Sequence, residues 1–247
     1  MPLTVRRAGP VALPAVLVAL AAVASPAWAR RVVIGRSVAG RAITAQVLGP
    51  DSARKVLLVG CIHGNECAGD AILAVLARLR VRSGVQLWLV AELNPDGAAA
   101  DTRQNAHGVD LNRNFPFQWQ PVSDPTYYSG PRPLSEPETR AAVRLIGAVK
   151  PAVTVWYHQH MALVDIAGGD RGIARRYAHL AGLPATCLPF LPGTATGWEN
   201  HTFPGSTSFV VELPPGRVGR ASLARHLRAI SGLERGERVG SRSSCSG

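Results

Sequence analysis

Four side chains in this sequence have the types and spacing to hold a metal ion and hydrolyse a bond beside it. His63 and Glu66 stand three residues apart, just after the apolar run Val56–Gly60. In a tight turn leaving a strand, that spacing lets an imidazole and a carboxylate converge on one cation, and both are ordinary zinc donors. A catalytic zinc takes three protein ligands and keeps a water in the fourth position. A chance His-x-x-Glu is expected about 0.2 times in a chain with this many His and Glu residues, so the pair needs a third partner. His158, at the end of the apolar run Val153–Tyr157, is the candidate; His160 shares its parity and competes, and a satisfied surface histidine is the plain alternative. His158 is preferred because it lies nearer the carboxyl edge of its strand. Glu212 ends Phe209-Val210-Val211, which sets a carboxylate in an apolar strand. Burying an unpaired charge is costly, so Glu212 is catalytic, metal-adjacent, or the partner of one of the many arginines.

These groups need a scaffold, and the hydrophobic pattern provides one. Arg31–Ser37 and Ala42–Leu48 read as strands around an Ala39-Gly40 turn, Val56–Gly60 as a strand buried on both faces, and Gln86–Leu93 as another. Cys67–Val81 has helical spacing. Asn94-Pro95-Asp96-Gly97 is a turn signal, followed from Ala98 to Pro133 by a long, poorly periodic loop of the kind that is either functional or disordered. Ser135 and Glu138 form a capping box for a helix to Lys150. Val153–Tyr157 and Ser208–Leu213 are strands, while Arg171–Ala181 and Gly219–Leu233 are helices. Alternation of this kind predicts an α/β three-layer sandwich, a mixed, mostly parallel twisted sheet flanked by helices. Sites in such sheets gather beyond the carboxyl ends of the strands.

An apolar fraction of 47% against 17% charged residues excludes disorder for most of the 247-residue chain. The expected domain spans 30–234. Residues 1–29 read as a signal peptide: Arg6 and Arg7, an apolar stretch Val11–Ala24 too short for a bilayer span, then Ala27-Trp28-Ala29. The protein is therefore expected to be secreted, with no stable membrane span after cleavage, and 235–247 to form a flexible tail. The net charge of +11, which falls to +9 once the leader with Arg6 and Arg7 is removed, suggests an anionic partner, with a solvated surface in an arginine-rich protein as the plain alternative. The arginines are scattered and no nucleic-acid motif is present, which argues against nucleic acid and for electrostatic association with an anionic cell envelope. Cys61, Cys67, Cys187 and Cys245 allow two disulfides in three pairings.

Taken together, Gly35-Arg36-Ser37 with Gly40-Arg41, His63-Gly64-Asn65-Glu66, Asn94-Pro95-Asp96-Gly97, Gly108-Val109-Asp110-Leu111-Asn112-Arg113-Asn114-Phe115-Pro116 and Ser135-Glu136-Pro137-Glu138-Thr139 resemble, in order, the motifs of the zinc carboxypeptidase family. The resemblance implies one zinc per chain held by His63, Glu66 and His158, with Glu212 activating the attacking water. It implies that Arg103 polarises the scissile carbonyl, that Asn112 and Arg113 hold the substrate's terminal carboxylate, and that Asp110 orients the first zinc histidine. The family's capping tyrosine has no counterpart before Glu212; Trp198 or His201 would line that side, unless Trp198 is a core residue.

The expected activity is a secreted zinc metallopeptidase acting on peptide or peptidoglycan-fragment substrates. Its bond would be an amide next to a free carboxylate, the D-glutamyl to diamino-acid linkage, as the resemblance to compact, prodomain-free murein peptide amidases implies. The alternatives are a carboxypeptidase trimming ordinary C-terminal residues, an aspartoacylase-like amidohydrolase of N-acyl amino acids, and an inactive cell-wall-binding module. The last predicts losses among the ligands or base, and none is lost.

Overall fold

The computed structural model describes residues 29–235. The expected leader, the tail and Cys245 lie outside these residues, save for Ala29 and Arg235 at the margins.

Eight strands form one sheet: β1 (Arg30–Arg36), β2 (Ala42–Leu48), β3 (Arg54–Cys61), β4 (Val85–Glu92), β5 (Val153–Gln159), β6 (Leu163–Asp165), β7 (Ala185–Thr186) and β8 (Thr207–Leu213). Their order is β1-β2-β4-β3-β5-β8-β6-β7, parallel from β4 through β8 and mixed at the edges. The helices are α1 (Gly69–Leu76), α2 (Pro95–Ala100), α3 (Pro137–Val149), α4 (Arg171–Ala181), α5 (Ala195–Thr202) and α6 (Arg220–Glu234), with one 3-10 turn at Leu111–Arg113.

Strand alternation sorts the apolar side chains into two cores. Val56, Leu58, Val155, Tyr157, Phe209 and Val211 pack on one face against α1, α4 and α6. Leu57, Val59 and Trp156 pack on the other, against α3, α5 and the long loop through Leu111 and Phe115. This is the expected three-layer sandwich. Because successive side chains of a strand point to opposite faces, His158 and Glu212 share the second face with Trp156 and Val210. The two residues are also paired neighbours in the parallel register of β5 and β8.

Local chemistry moved several expected boundaries. The helix expected over Cys67–Val81 is shorter, because a Cys61–Cys67 disulfide ties down its start and tight i to i−3 turns at Arg78 and Leu79 end it. That disulfide settles one of the open pairings, and Cys187 is also disulfide-bonded. No capping box forms: Glu136 is the N-cap of α3 and Pro137 its first turn. Glu138 is instead spent elsewhere, accepting from the Val38 N–H and from Asn105 Nδ2. The Asn94 turn is the capped start of α2, where the Asn94 side chain accepts from the Gly97 N–H. Asp96 accepts from Ser37 Oγ, the Ala39 N–H and Arg41, which explains why the Ser37 and Arg41 motif accompanies it. Three elements, α5, β6 and β7, were not anticipated.

The long loop is ordered by one buried residue. Asn114 donates to the carbonyls of Ser129 and Arg132 and to Ser135 Oγ, and accepts from the Glu136 N–H. Four hydrogen bonds at one side chain tie the middle of the loop to its C-terminal end and to the start of α3.

Candidate active site

His63 and Glu66 sit in the turn between β3 and α1, bracketed by the Cys61–Cys67 disulfide. Gly64 lies within this turn because the backbone of α2 lies against it. A Cβ at Gly64 would meet the Gly97 carbonyl carbon at 1.9 Å, so no larger residue fits. From β5, His158 brings its Nδ1 to 3.2 Å from His63 Nδ1 and 3.0 Å from Glu66 Oε2. Among the described residues, His63, Glu66 and His158 are the group whose donor atoms all fall within 4.8 Å of one another. His160 lines the adjoining cavity but does not join them.

The chemistry of this donor set suits a divalent cation. Asp110 is fully buried and its Oδ1 lies 2.9 Å from His63 Nε2. If Nε2 carries the proton, Nδ1 turns a lone pair inward, toward a second imidazole nitrogen and a carboxylate oxygen. Acceptors converging on acceptors require positive charge between them. The electrostatics agree. Burial alone would lower His63, but the Asp110 and Glu66 carboxylates outweigh it and push the imidazole up. Burial would raise Glu66, yet its bonds to His158 and His63 hold it well below the usual carboxylate range. Asp110, likewise penalised by burial, is held low by His63 and the guanidinium of Arg103.

Arg103 comes from the long loop. Its Nη1 lies 2.8 Å from Glu66 Oε1, and its Nε and Nη2 lie 3.0 and 2.9 Å from Asp110 Oδ2. Asn112 and Arg113 follow on the 3-10 turn. Asn112 Oδ1 accepts from the Ala195 N–H at the start of α5, which docks the loop against that helix. Tyr127, from the same loop, lies 5.3 Å below the Arg103 guanidinium and 5.5 Å below that of Arg113. Sequence reasoning missed Tyr127; its signal was a paired tyrosine inside a loop already marked as functional.

These groups line a single cavity of about 650 Å³, together with Glu212 and His201. Glu212 is partly exposed there, and its Oε2 accepts from the Met161 N–H at 3.4 Å. Among the described residues it pairs with no arginine, so the ion-pair alternative finds no support. His201 stacks on Phe117 with ring centroids 4.0 Å apart and forms part of the cavity wall. Trp198 does not. It is 7% exposed and packs on Phe115 and Phe203 in the core beneath, as an α5 residue on the inward side must. Also beneath the wall, α5 places the fully buried Glu199, whose Oε1 accepts from Thr154 Oγ1 at 2.5 Å. Burial pushes this carboxyl up to about 7, against the lowering effect of the neighbouring Thr154, Ser208 and Trp156 side chains.

Known proteins share this architecture. Murein-tripeptide amidase from Escherichia coli O157 superposes with a TM-score of 0.67 at 27% identity, covering 86% of this chain and 93% of that one. Carboxypeptidase A from Helicoverpa armigera, 18% identical with a TM-score of 0.72, covers 85% of this chain and 68% of its own, and shares the fold. In sequence, murein peptide amidase A of Escherichia coli K12 is 32% identical over 144 residues, or 53% of this chain. The chain thus spans 60% of the length of that relative. The profile of the zinc carboxypeptidase family matches residues 16–185, a stretch that takes in both loop arginines and all three convergent donors and stops short of Glu212. A match over more than half of the sequence, on a sheet of this topology, makes the chain a member of the zinc carboxypeptidase family.

Proposed function

We propose that this protein is a secreted zinc peptidase that hydrolyses an amide bond next to a free carboxylate in peptidoglycan-derived peptides, at the D-glutamyl to diamino-acid linkage. The observation that carries the reading is the pairing of His158 and Glu212 side by side on β5 and β8, opening into one cavity with Arg103, Asn112 and Arg113. That layout supports the reading in which a metal ligand, a base and carboxylate-binding groups act around one volume.

His63, Glu66 and His158 would hold one zinc per chain, with Asp110 fixing the His63 ring. When bound, zinc supplies Lewis acidity at the scissile carbonyl and lowers the pKa of water toward neutrality. Glu212 takes a proton from the attacking water and passes it to the leaving amine nitrogen. Arg103 donates to the oxyanion that develops on the carbonyl oxygen. Arg113, through its guanidinium, and Asn112, through its side-chain amide, grip the carboxylate on the leaving side, so the enzyme measures its cut from a chain end.

Support for the cell-wall substrate comes from the likeness to murein peptide amidases in sequence and in structure. The net charge of +9 left once the leader with Arg6 and Arg7 is removed adds a reason for residence at an anionic envelope, which salt would weaken. None of the described helices is long and apolar enough to cross a membrane. The test is a side-by-side assay of murein tripeptide and of ordinary peptides varied at the C-terminus, each with and without chelator. Chelator-sensitive cleavage of the tripeptide is expected. Release of ordinary C-terminal residues with no tripeptide cleavage would replace the cell-wall substrate with a general carboxypeptidase one.

A further inference from the structure

Arginines that lie scattered along the sequence are gathered by the fold. The layer of α1, α4 and α6, with the turns that follow α1 and precede α6, is drawn from residues 67–84, 167–183 and 214–235. These segments carry eleven arginines and three acidic residues. The stretch 93–150, which supplies α3 and the long loop to the opposite layer, carries six basic residues and six acidic ones. The excess of positive charge therefore sits on one side of the sheet. Its three acids do little to offset it. Asp170 caps α4 by accepting from the Gly172 N–H, Asp70 is partly buried in the first turn of α1, and Glu234 lies in the field of Arg82 and Arg235. Arg78, Arg80, Arg217, Arg220 and Arg228 are exposed and form no ion pair among the described residues.

The shape and chemistry of this face narrow its partner. α4 and α6 lie side by side and α1 touches α6, so the arginines cover a broad face. At 1.5 Å per residue α6 alone is roughly 22 Å long. The inward sides of the three helices are already used, with Ile72, Ile173, Tyr177 and Ile230 in the core. The face can therefore rest on charge but cannot sink into hydrocarbon. One side chain departs from this pattern. Leu79 is 43% exposed and stands between Arg78 and Arg80 in the turn after α1. An anionic bilayer serves both parts of the face, with phosphates for the arginines and a shallow apolar boundary for the leucine; a soluble polyanion serves only the first. None of these arginines lines the cavity, and His158 and Glu212 belong to the other face of the sheet.

We propose that the face formed by α1, α4 and α6 is a docking surface for an anionic lipid bilayer, held by arginine contacts to lipid phosphates and by Leu79 at the headgroup boundary. It gives the envelope association read from net charge a definite face, and an orientation in which the cavity is directed away from the lipid. The inference rests on the reading of the protein as exported for where it meets such a bilayer. No step of the hydrolysis depends on it, so each reading survives the failure of the other. An arginine held near an anionic membrane strengthens binding about fivefold, so three of them together contribute roughly a hundredfold.

The experiment measures partitioning of the exported chain onto vesicles of phosphatidylcholine alone, and of phosphatidylcholine mixed with phosphatidylglycerol in equal parts, at low and at high salt. Polyphosphate serves as the soluble polyanion. Two triple variants lower the net charge equally at exposed positions. One carries Arg80→Gln, Arg220→Gln and Arg228→Gln on the face, and the other carries Arg132→Gln, Arg144→Gln and Lys150→Gln on the opposite layer. The wild type should bind the phosphatidylglycerol vesicles and be released by high salt. The face variant should lose roughly a hundredfold in affinity and the opposite-layer variant less than about threefold. Leu79→Ser should weaken vesicle binding about three- to tenfold and leave polyphosphate binding unchanged. Unchanged melting temperatures report that each variant is folded. Equal losses in the two triple variants would show that net charge acts without a face, and would overturn the assignment. Binding to polyphosphate with none to the vesicles would overturn it in favour of a soluble polyanion.

Discussion

Replacing Glu199 by Gln should stabilise the protein, and by an amount that grows with pH. Glu199 is fully buried, one carboxylate oxygen accepts from Thr154, and the other has no hydrogen-bond partner. Burial raises its pKa from 4.5 to about 7. Between these values the folded protein keeps a proton that the unfolded chain has released, so stability falls as pH rises. The loss starts near pH 4.5 and is complete above about pH 7, where it amounts to about 3 kcal/mol at 1.36 kcal/mol per pK unit. At pH 5 it is only about 1 kcal/mol. Glutamine has the shape of the protonated acid and carries no such penalty. The advantage of Glu199→Gln over the wild type should therefore widen by about 2 kcal/mol between pH 5 and pH 8. Urea unfolding of both proteins at the two pH values, with chelator present so that metal binding does not contribute, measures this double difference. At pH 8 the variant should melt about 5–10 °C higher. A gap that stays constant with pH, or a variant less stable at pH 8, would refute the reasoning and show that Glu199 is charged and compensated in the fold.

Four further outcomes follow from the site. His158→Ala should abolish stoichiometric zinc, measured by metal analysis after dialysis, while His160→Ala should keep it; the reverse would exchange the two histidines. Glu212→Gln should retain fold and zinc and lose roughly 10²–10⁴-fold in kcat, and near-normal turnover would reduce Glu212 to a structural residue. Asp110→Asn should weaken zinc about 10–100-fold in a competition titration, because it removes the charge that orients and polarises His63. Arg113→Ala should raise KM by roughly ten- to a hundred-fold with a smaller change in kcat, and an effect confined to kcat would place Arg113 at the reacting bond instead.

How much of this was readable beforehand depended on the kind of signal. The strands that carry His158 and Glu212 were legible because Val153–Tyr157 and Phe209–Val211 are continuous apolar runs, and the period of two then fixes which face each side chain takes. The loop residues Arg103, Asn112 and Arg113 have no periodicity of their own and were found only through the family resemblance. What brings them together is the hydrogen bonding of Asn114 and Asp110, which depends on contacts distant in sequence. β6 and α5 were missed because a three-residue strand and an eight-residue helix containing Gly197 carry little pattern. The capping box failed at Ser135 for a different reason: Pro137 set the start of the helix, and tertiary contacts had already claimed Glu138. The placement of Trp198 turned on the orientation of α5, which only packing decides.

The strand order also bears on how the cell could make such a hydrolase safely. β5 lies between β3 and β8, and β8 is the last strand of the sheet in chain order. During synthesis His63 and Glu66 of the β3 turn leave the ribosome early, His158 follows with β5, and Glu212 arrives only with β8. On the proposed mechanism, a growing or truncated polypeptide that lacks β8 can collect its ligands but has no base to move a proton. On that mechanism hydrolytic competence comes with completion of the sheet, and an interrupted translation product is inert.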